Sequence, residues 1–248
     1  MSRNETFDAA AVTRLDVSLA WAALEMTVDS VARIQLIVAG TPEDVEDLKA
    51  EADQGVLSVA QPAYGLSTRL NTERWMQVTL RIPEDWKGEV ACSTMSGILR
   101  ARGLSGSDFS LSTISGNLRA SALNAMTLSL RTVSGGLTAS DLRADSLSLR
   151  TVSGALTIER AAARRLKATT VSADLSLDLT EPPERVDITS VSGDTAIALP
   201  AESAAVSLRA VSGKLRTPGL TPGDEGPVIS ENSVSGSLTV TGGATGEA

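Results

Sequence analysis

The chain contains no histidine, and Cys92 is its only cysteine. The first absence removes the usual general base and the commonest metal ligand together. The second excludes an intrachain disulfide and a zinc site built from a cysteine cluster. Aromatic residues are 2% of the 248 positions, so the platform on which polysaccharide-active proteins stack sugars is missing. Excess positive charge is missing too. The formal charge of −8 and pI of about 4.7 argue against a general nucleic-acid binder. No run approaches the roughly 18 apolar residues of a membrane-spanning helix. The opening MSRNETFDAAAVTRLD has charges where a signal peptide carries its apolar core. These absences lead to the expectation of a cytoplasmic chain, or one peripheral to a membrane, that is not an enzyme and uses no cofactor or metal.

What the sequence does have is repetition. The octapeptide Leu128 to Gly135, LSLRTVSG, recurs letter for letter at Leu147 to Gly154, nineteen positions on. A Ser anchor marks each unit: Ser96, Ser115, Ser134, Ser153, Ser172, Ser192, Ser212 and Ser235, with steps of 19, 19, 19, 19, 20, 20 and 23. Six before the anchor stand Val90, Phe109, Leu128, Leu147, Leu166, Val186, Val206 and Ile229. Four before stand Cys92, Leu111, Leu130, Leu149, Ala168, Ile188 and Leu208, and only the last unit departs, with Glu231. Three after stand Leu99, Leu118, Leu137, Leu156, Leu175, Thr195, Leu215 and Leu238. The position one before the anchor is apolar in every unit, from Met95 and Ile114 to Val234.

Spacing of two on each side of the anchor is the pattern of a strand with one buried face. The Ser-Gly pair breaks that phase, as a corner does. Its glycines are Gly97, Gly116, Gly135, Gly154, Gly193, Gly213 and Gly236, and Ala173 is the one exception. A unit of two short strands cannot bury its apolar face alone, but stacked units can. The sequence therefore predicts an all-β, single-stranded parallel β-helix of about eight coils of 19–20 residues, a rod on the order of 38 Å long. By parity, the column two before the anchor (Thr94, Thr113, Thr132, Thr151, Thr170, Ser190, Ala210, Ser233) points inward. It predicts a ladder of buried hydroxyls bonded between coils or to backbone carbonyls.

The division expected is an irregular β-rich cap over residues 1–89, regular coils over 90–240 and a polar tail over 241–248. Residues 1–12 read as a frayed lead-in. Leu15 to Val28 fits two strands, with a helix over 16–27 as competitor, and Ile34 to Val38 fits a strand. Thr41-Pro42 reads as a helix start. Leu48 to Val59 fits a hairpin around Asp53-Gln54-Gly55, Pro62 to Thr72 a loop, and Met76 to Ile82 a strand stopped by Pro83. Residues 1–90 hold 8 basic and 15 acidic side chains, so nearly all the net charge lies there. They read as incomplete coils that cap the rod, since an uncovered end coil offers unpaired strand groups. At the far end, Pro218 to Pro227 reads as a loop, with Val234, Leu238 and Val240 closing the core.

The anchored hexapeptides TMSGIL, TISGNL, TVSGGL, TVSGAL, TVSADL, SVSGDT, AVSGKL and SVSGSL, with VTLRIPEDW before the first, resemble the bacterial "putative adhesin" family of β-strand-repeat proteins. The resemblance covers roughly residues 15–240. It implies a right-handed solenoid that works through protein contacts, with some relatives tied to cell-envelope stress, and no catalytic motif to carry over.

Three function classes follow: a scaffold or protein-interaction module, a self-assembling filament, and a polysaccharide-active β-helix. The last needs grouped carboxylates, whereas Asp141, Asp145, Asp174, Asp187 and Asp194 are scattered singly. Glu231 and the Pro/Gly loop suggest a blunted C-terminal end, which disfavours the filament. Cys92, in a core column, reads as a small buried hydrophobe. The candidate partner-binding residues are outward arginines in successive coils: Arg131 and Arg150 three before the anchor, with Arg209 further along, and Arg100 and Arg119 four after it. Each pair places like charges about 4.8 Å apart at the backbone, which calls for an answering carboxylate on a partner, another protein in solution or at a membrane, or on the acidic N-terminal half. No nucleic-acid partner is expected.

Overall fold

Alternation of buried and exposed residues runs through the chain, and a computed structural model shows it as strands stacked in parallel around one apolar core. The structure describes residues 1–62, 75–223 and 226–243. The predicted loop from Pro62 to Thr72 lies almost wholly outside them.

The N-terminal part is β1 (Ser2–Phe7), a 3-10 turn at Ala9–Ala11, β2 (Arg14–Leu19), β3 (Ala23–Asp29), β4 (Ile34–Gly40), helix α1 (Pro42–Asp47), β5 (Lys49–Asp53), β6 (Val56–Ala60) and β7 (Met76–Pro83). Residues 1–12 are thus not frayed: β1 pairs antiparallel with β4 along its whole length. Strands win over the helical reading of 16–27 because Leu15, Val17, Leu19, Leu24 and Met26 all enter the core, on a period of two. The hairpin is present as antiparallel β5–β6, with Gln54 and Gly55 at positive φ as a tight two-residue turn needs. Thr41 precedes α1, but its hydroxyl goes to the Asp44 carboxylate instead of capping a backbone N–H.

The regular region continues with β8 (Glu89–Thr94), β9 (Leu99–Arg102), β10 (Ser105–Thr113), β11 (Leu118–Thr132), β12 (Leu137–Arg150), β13 (Leu156–Thr169), β14 (Leu175–Leu179), β15 (Arg185–Thr189) and β16 (Thr195–Ala198). The register is the one read from the repeat, Leu over Leu: Leu118↔Leu137↔Leu156↔Leu175 and Leu128↔Leu147↔Leu166. The columns six before, four before and three after the anchor form the core.

A second corner, seven residues after the anchor, has no single residue signature. Gly103, Ala122, Asp141 and Arg160 occupy it, all at positive φ. Asp141 suits that conformation because its short polar side chain can bond locally. Arg160 holds Asp141 in a two-pronged ion pair, Nε–Oδ1 and Nη2–Oδ2 both 2.7 Å.

Both ends depart from chain order. At the N-terminus the first coil, β2–β3, lies between β6–β7 and β8–β9. At the C-terminus follow β17 (Ser203–Ser212), β18 (Leu215–Arg216), β19 (Thr221–Pro222), β20 (Val228–Ser235) and β21 (Leu238–Thr241). The last coil, β20–β21, inserts between β15–β16 and β17–β18. The anchors show the same order, since Ser192 stacks on Ser235 and Ser235 on Ser212. The N-terminal acidic part is therefore made of stacked coils closed by antiparallel strands, not of incomplete coils.

Candidate interaction surface

Inward and outward positions divide the repeat into columns with separate tasks. The hydroxyl column is buried as parity requires: Thr94, Thr113, Thr132, Thr151, Thr170 and Ser190 are at most 5% exposed. Thr94 and Thr151 donate to the carbonyls of Ser96 and Ser153 at 3.3 Å, and Thr170 donates to the Ser190 hydroxyl at 3.0 Å. Thr113 and Thr132 have no partner, so the ladder is discontinuous. These hydroxyls are structural, sealed from any substrate.

The two irregular letters of the repeat meet each other. Glu231, where other units have an apolar residue, is fully buried, and its Oε1 accepts from the hydroxyl of Thr195, which replaces the column's leucine, at 3.2 Å. Burial, reinforced by Asp194 and opposed by the Thr195 hydrogen bond, pushes this carboxyl up to about 7. Glu231 consequently does not blunt the end of the rod. It lies inside, between Ile188 and Leu208.

Four of the five scattered aspartates have structural partners. Asp174 accepts the N–H of Asp194 at 3.0 Å, and Asp194 accepts that of Ser237 at 2.8 Å, each carboxylate tying its coil to the next. Asp141 and Asp187 pair with Arg160 and Arg185, and the Arg160 hydrogen bond holds the Asp141 carboxyl below its usual range. Among the described residues no group of three or more Asp, Glu or Cys side chains is placed to hold a metal. Cys92 is buried with its thiol on the Met26 sulfur at 3.3 Å, and burial pushes that thiol up, away from the reactive thiolate.

The predicted arginine pairs are in register: Arg131 lies beside Arg150, and Arg100 beside Arg119. Glu25 follows in the second row, next to Arg100. Yet the pairs lie on opposite sides of the Ser-Gly corner, so they are two short rows and not one patch. Elsewhere Arg143, Arg160, Arg164 and Arg185 each reach a carboxylate within 2.5–2.7 Å. No ion pair joins Arg100, Arg119, Arg131 or Arg150 to a carboxylate among the described residues.

Between the two rows runs a feature that column reading did not assign. The apolar residue one before the anchor faces water in seven of the eight coils: Met95 (55% exposed), Ile114, Val152, Val171, Val191, Val234 and, most of all, Val211 (87%), while Val133 is half-buried. Val234 thus does not close the core with Leu238 and Val240. The signal was present in the parity, since the inward columns before the anchor stand at even offsets and an odd offset there points away from them. The result is an apolar ridge along the corner, one side chain per coil, with Arg131 and Arg150 two residues before it in their own coils.

The geometry fits what comparison shows. The sequence from residue 16 to 240 matches the family model described as Toastrack DUF4097. The chain belongs to that family. Its fold is shared with a Parabacteroides merdae protein called a "putative adhesin" (TM-score 0.65, 11% identity, 97% of this chain and 95% of that one covered). A Bacteroides fragilis protein of the same description is comparably similar (0.62, 15%, 98% and 97%). So is a Parabacteroides distasonis protein called a "putative lipid binding protein" (0.62, 14%, 96% and 96%). No curated protein matches the sequence. No helix among the described residues is long and apolar enough to cross a membrane.

Proposed function

We propose that this Toastrack chain is a non-catalytic, adhesin-like scaffold whose Ser-Gly corner docks a protein partner. One observation carries the reading: an apolar ridge, half-buried only at Val133, lies in water beside Arg131 and Arg150, which form no ion pair within the described molecule. Contiguous apolar surface of this kind is uncommon on a protein that acts alone. Like charges a strand spacing apart repel until a carboxylate meets them. The partner is therefore an apolar surface carrying acidic residues beside its contact.

The test places a photo-crosslinking residue at Val152, and for comparison at Arg164 on another side of the coil, then compares adducts in the native host. Adducts from position 152 and not from 164 are expected. Arg131→Ser with Arg150→Ser should leave the melting temperature unchanged and reduce the adduct several-fold, an effect that shrinks as salt rises. Equal adducts from both positions, or a folded double variant that crosslinks as well as the parent at low salt, would eliminate the corner as the docking surface.

A further inference from the structure

The two ends of the rod are finished differently. At the N-terminal end the outer coil, β6–β7, is covered by β5 on one strand and by the β4–β1 pair on the other, all antiparallel. Val45 and Leu48, at and just after α1, are buried there. At the C-terminal end the outer coil is β17–β18. Among the described residues, 205–212 pair on one side only, with β20, and β18 pairs only with β21. The core columns open with it. In the other coils, the positions six before, four before and three after the anchor are at most 3% exposed. Here Val206 and Leu208 are half-buried, and Leu215 is 43% exposed. Proteins normally blunt such an edge with charge, proline or a covering element, yet β17 carries one charge, Arg209.

We propose that this end is an interface with a second copy of the chain, in which β17 pairs antiparallel with β17 of that copy about a two-fold axis. Antiparallel strands place opposite residues on the same face. A core continuous across the joint therefore requires Val206, Leu208 and Ala210 to oppose inward residues. Centring the axis on Leu208 satisfies this: Val206 meets Ala210, and Ala204 meets Ser212. Arg209 then meets Ser207 instead of its own copy. The same register brings the exposed Glu202 at the start of one β17 against the exposed Lys214 just past the end of the other, twice by symmetry. Within one chain these two residues flank a ten-residue strand, too long for their side chains to reach each other, so only a second copy lets them meet. Because the opposite end is covered, pairing stops at two and does not grow into a filament.

Sedimentation equilibrium on the full chain tests this. The expected species is a dimer, at twice the 25.7 kDa of one chain. Glu202→Lys alone and Lys214→Glu alone should each raise the dimer dissociation constant at least tenfold. The double variant Glu202→Lys/Lys214→Glu should return it to near the parental value, which an unfolding artefact could not do. Arg131→Ser with Arg150→Ser should leave it unchanged, which separates this interface from the docking ridge. A monomer at all concentrations, an open-ended series of oligomers, or a double variant as weak as the singles would each overturn the proposal.

Discussion

Glu231 shows how much one residue can hold in this fold. Its carboxyl sits in a column made for leucine, with one oxygen bonded to Thr195 and the other, Oε2, without a partner. Raised to about 7 by burial, it stays protonated in the folded protein at pH values where the unfolded chain has released the proton. The folded state then binds more protons than the unfolded one, so stability falls as pH rises from about 4.5 to about 7 and levels off above. The loss is on the order of 3 kcal/mol. Denaturation midpoints should drop across that window, and Glu231→Gln should flatten the drop by raising stability at pH 8. Replacing both irregular letters, Glu231→Leu with Thr195→Leu, should exceed the sum of the single changes, because either alone leaves a polar group buried without its partner. A parent protein whose midpoint is the same at pH 5 and pH 8 would contradict this account.

At the scale of the repeat element, the Ser-Gly corner raises the question of why glycine is used. A Cβ added at Gly116 would sit 1.7 Å from the carbonyl oxygen of Gly97 in the preceding coil, and one at Gly135 would sit 2.2 Å from that of Gly116. Gly116 is not among the positive-φ residues, so there crowding by the neighbouring backbone alone excludes a side chain. Gly135 adds a φ of 155°. Ala173 fits the corner with a φ that is not positive and a buried side chain. Gly116→Ala should therefore cost about 3 kcal/mol or more. Ala173→Gly should be neutral or destabilising by up to about 1 kcal/mol through chain entropy. A midpoint clearly raised by Ala173→Gly would show that the corner demands positive φ after all.

The whole molecule is a stack whose order is not the order of the chain. In a sequential solenoid, removing the last coil exposes only the one before it. Here β20–β21 supports β17–β18 from below, so a chain ending at residue 227 should lose both coils together. Hydrogen exchange on that truncation should show amide protection gone from 203–216 while 118–169 stays protected. Protection retained across 203–216 would mean that β17 can pair directly with β15. The arrangement also makes folding non-local at both ends, since the first coil is enclosed by β6–β7 and the penultimate layer by β17–β18.

The sequence by itself determined the repeat, the inward columns and the register, because identical letters at a fixed period leave one way to stack like on like. Leu118 over Leu137 and Arg131 beside Arg150 were readable before any coordinates. It also held the exposure of the Val152 row, in the parity of its offset. Other features depended on the tertiary structure. The second corner has no shared letter, since glycine, alanine, aspartate and arginine all occupy it, and backbone conformation there is imposed by the coil on either side. The pairing of Glu231 with Thr195 joins residues 36 positions apart, in layers that only the insertion of β20–β21 makes neighbours. That insertion was illegible because every unit presents the same apolar columns. Any coil can stack on any other, and only the loops and the closing of each end decide which one does.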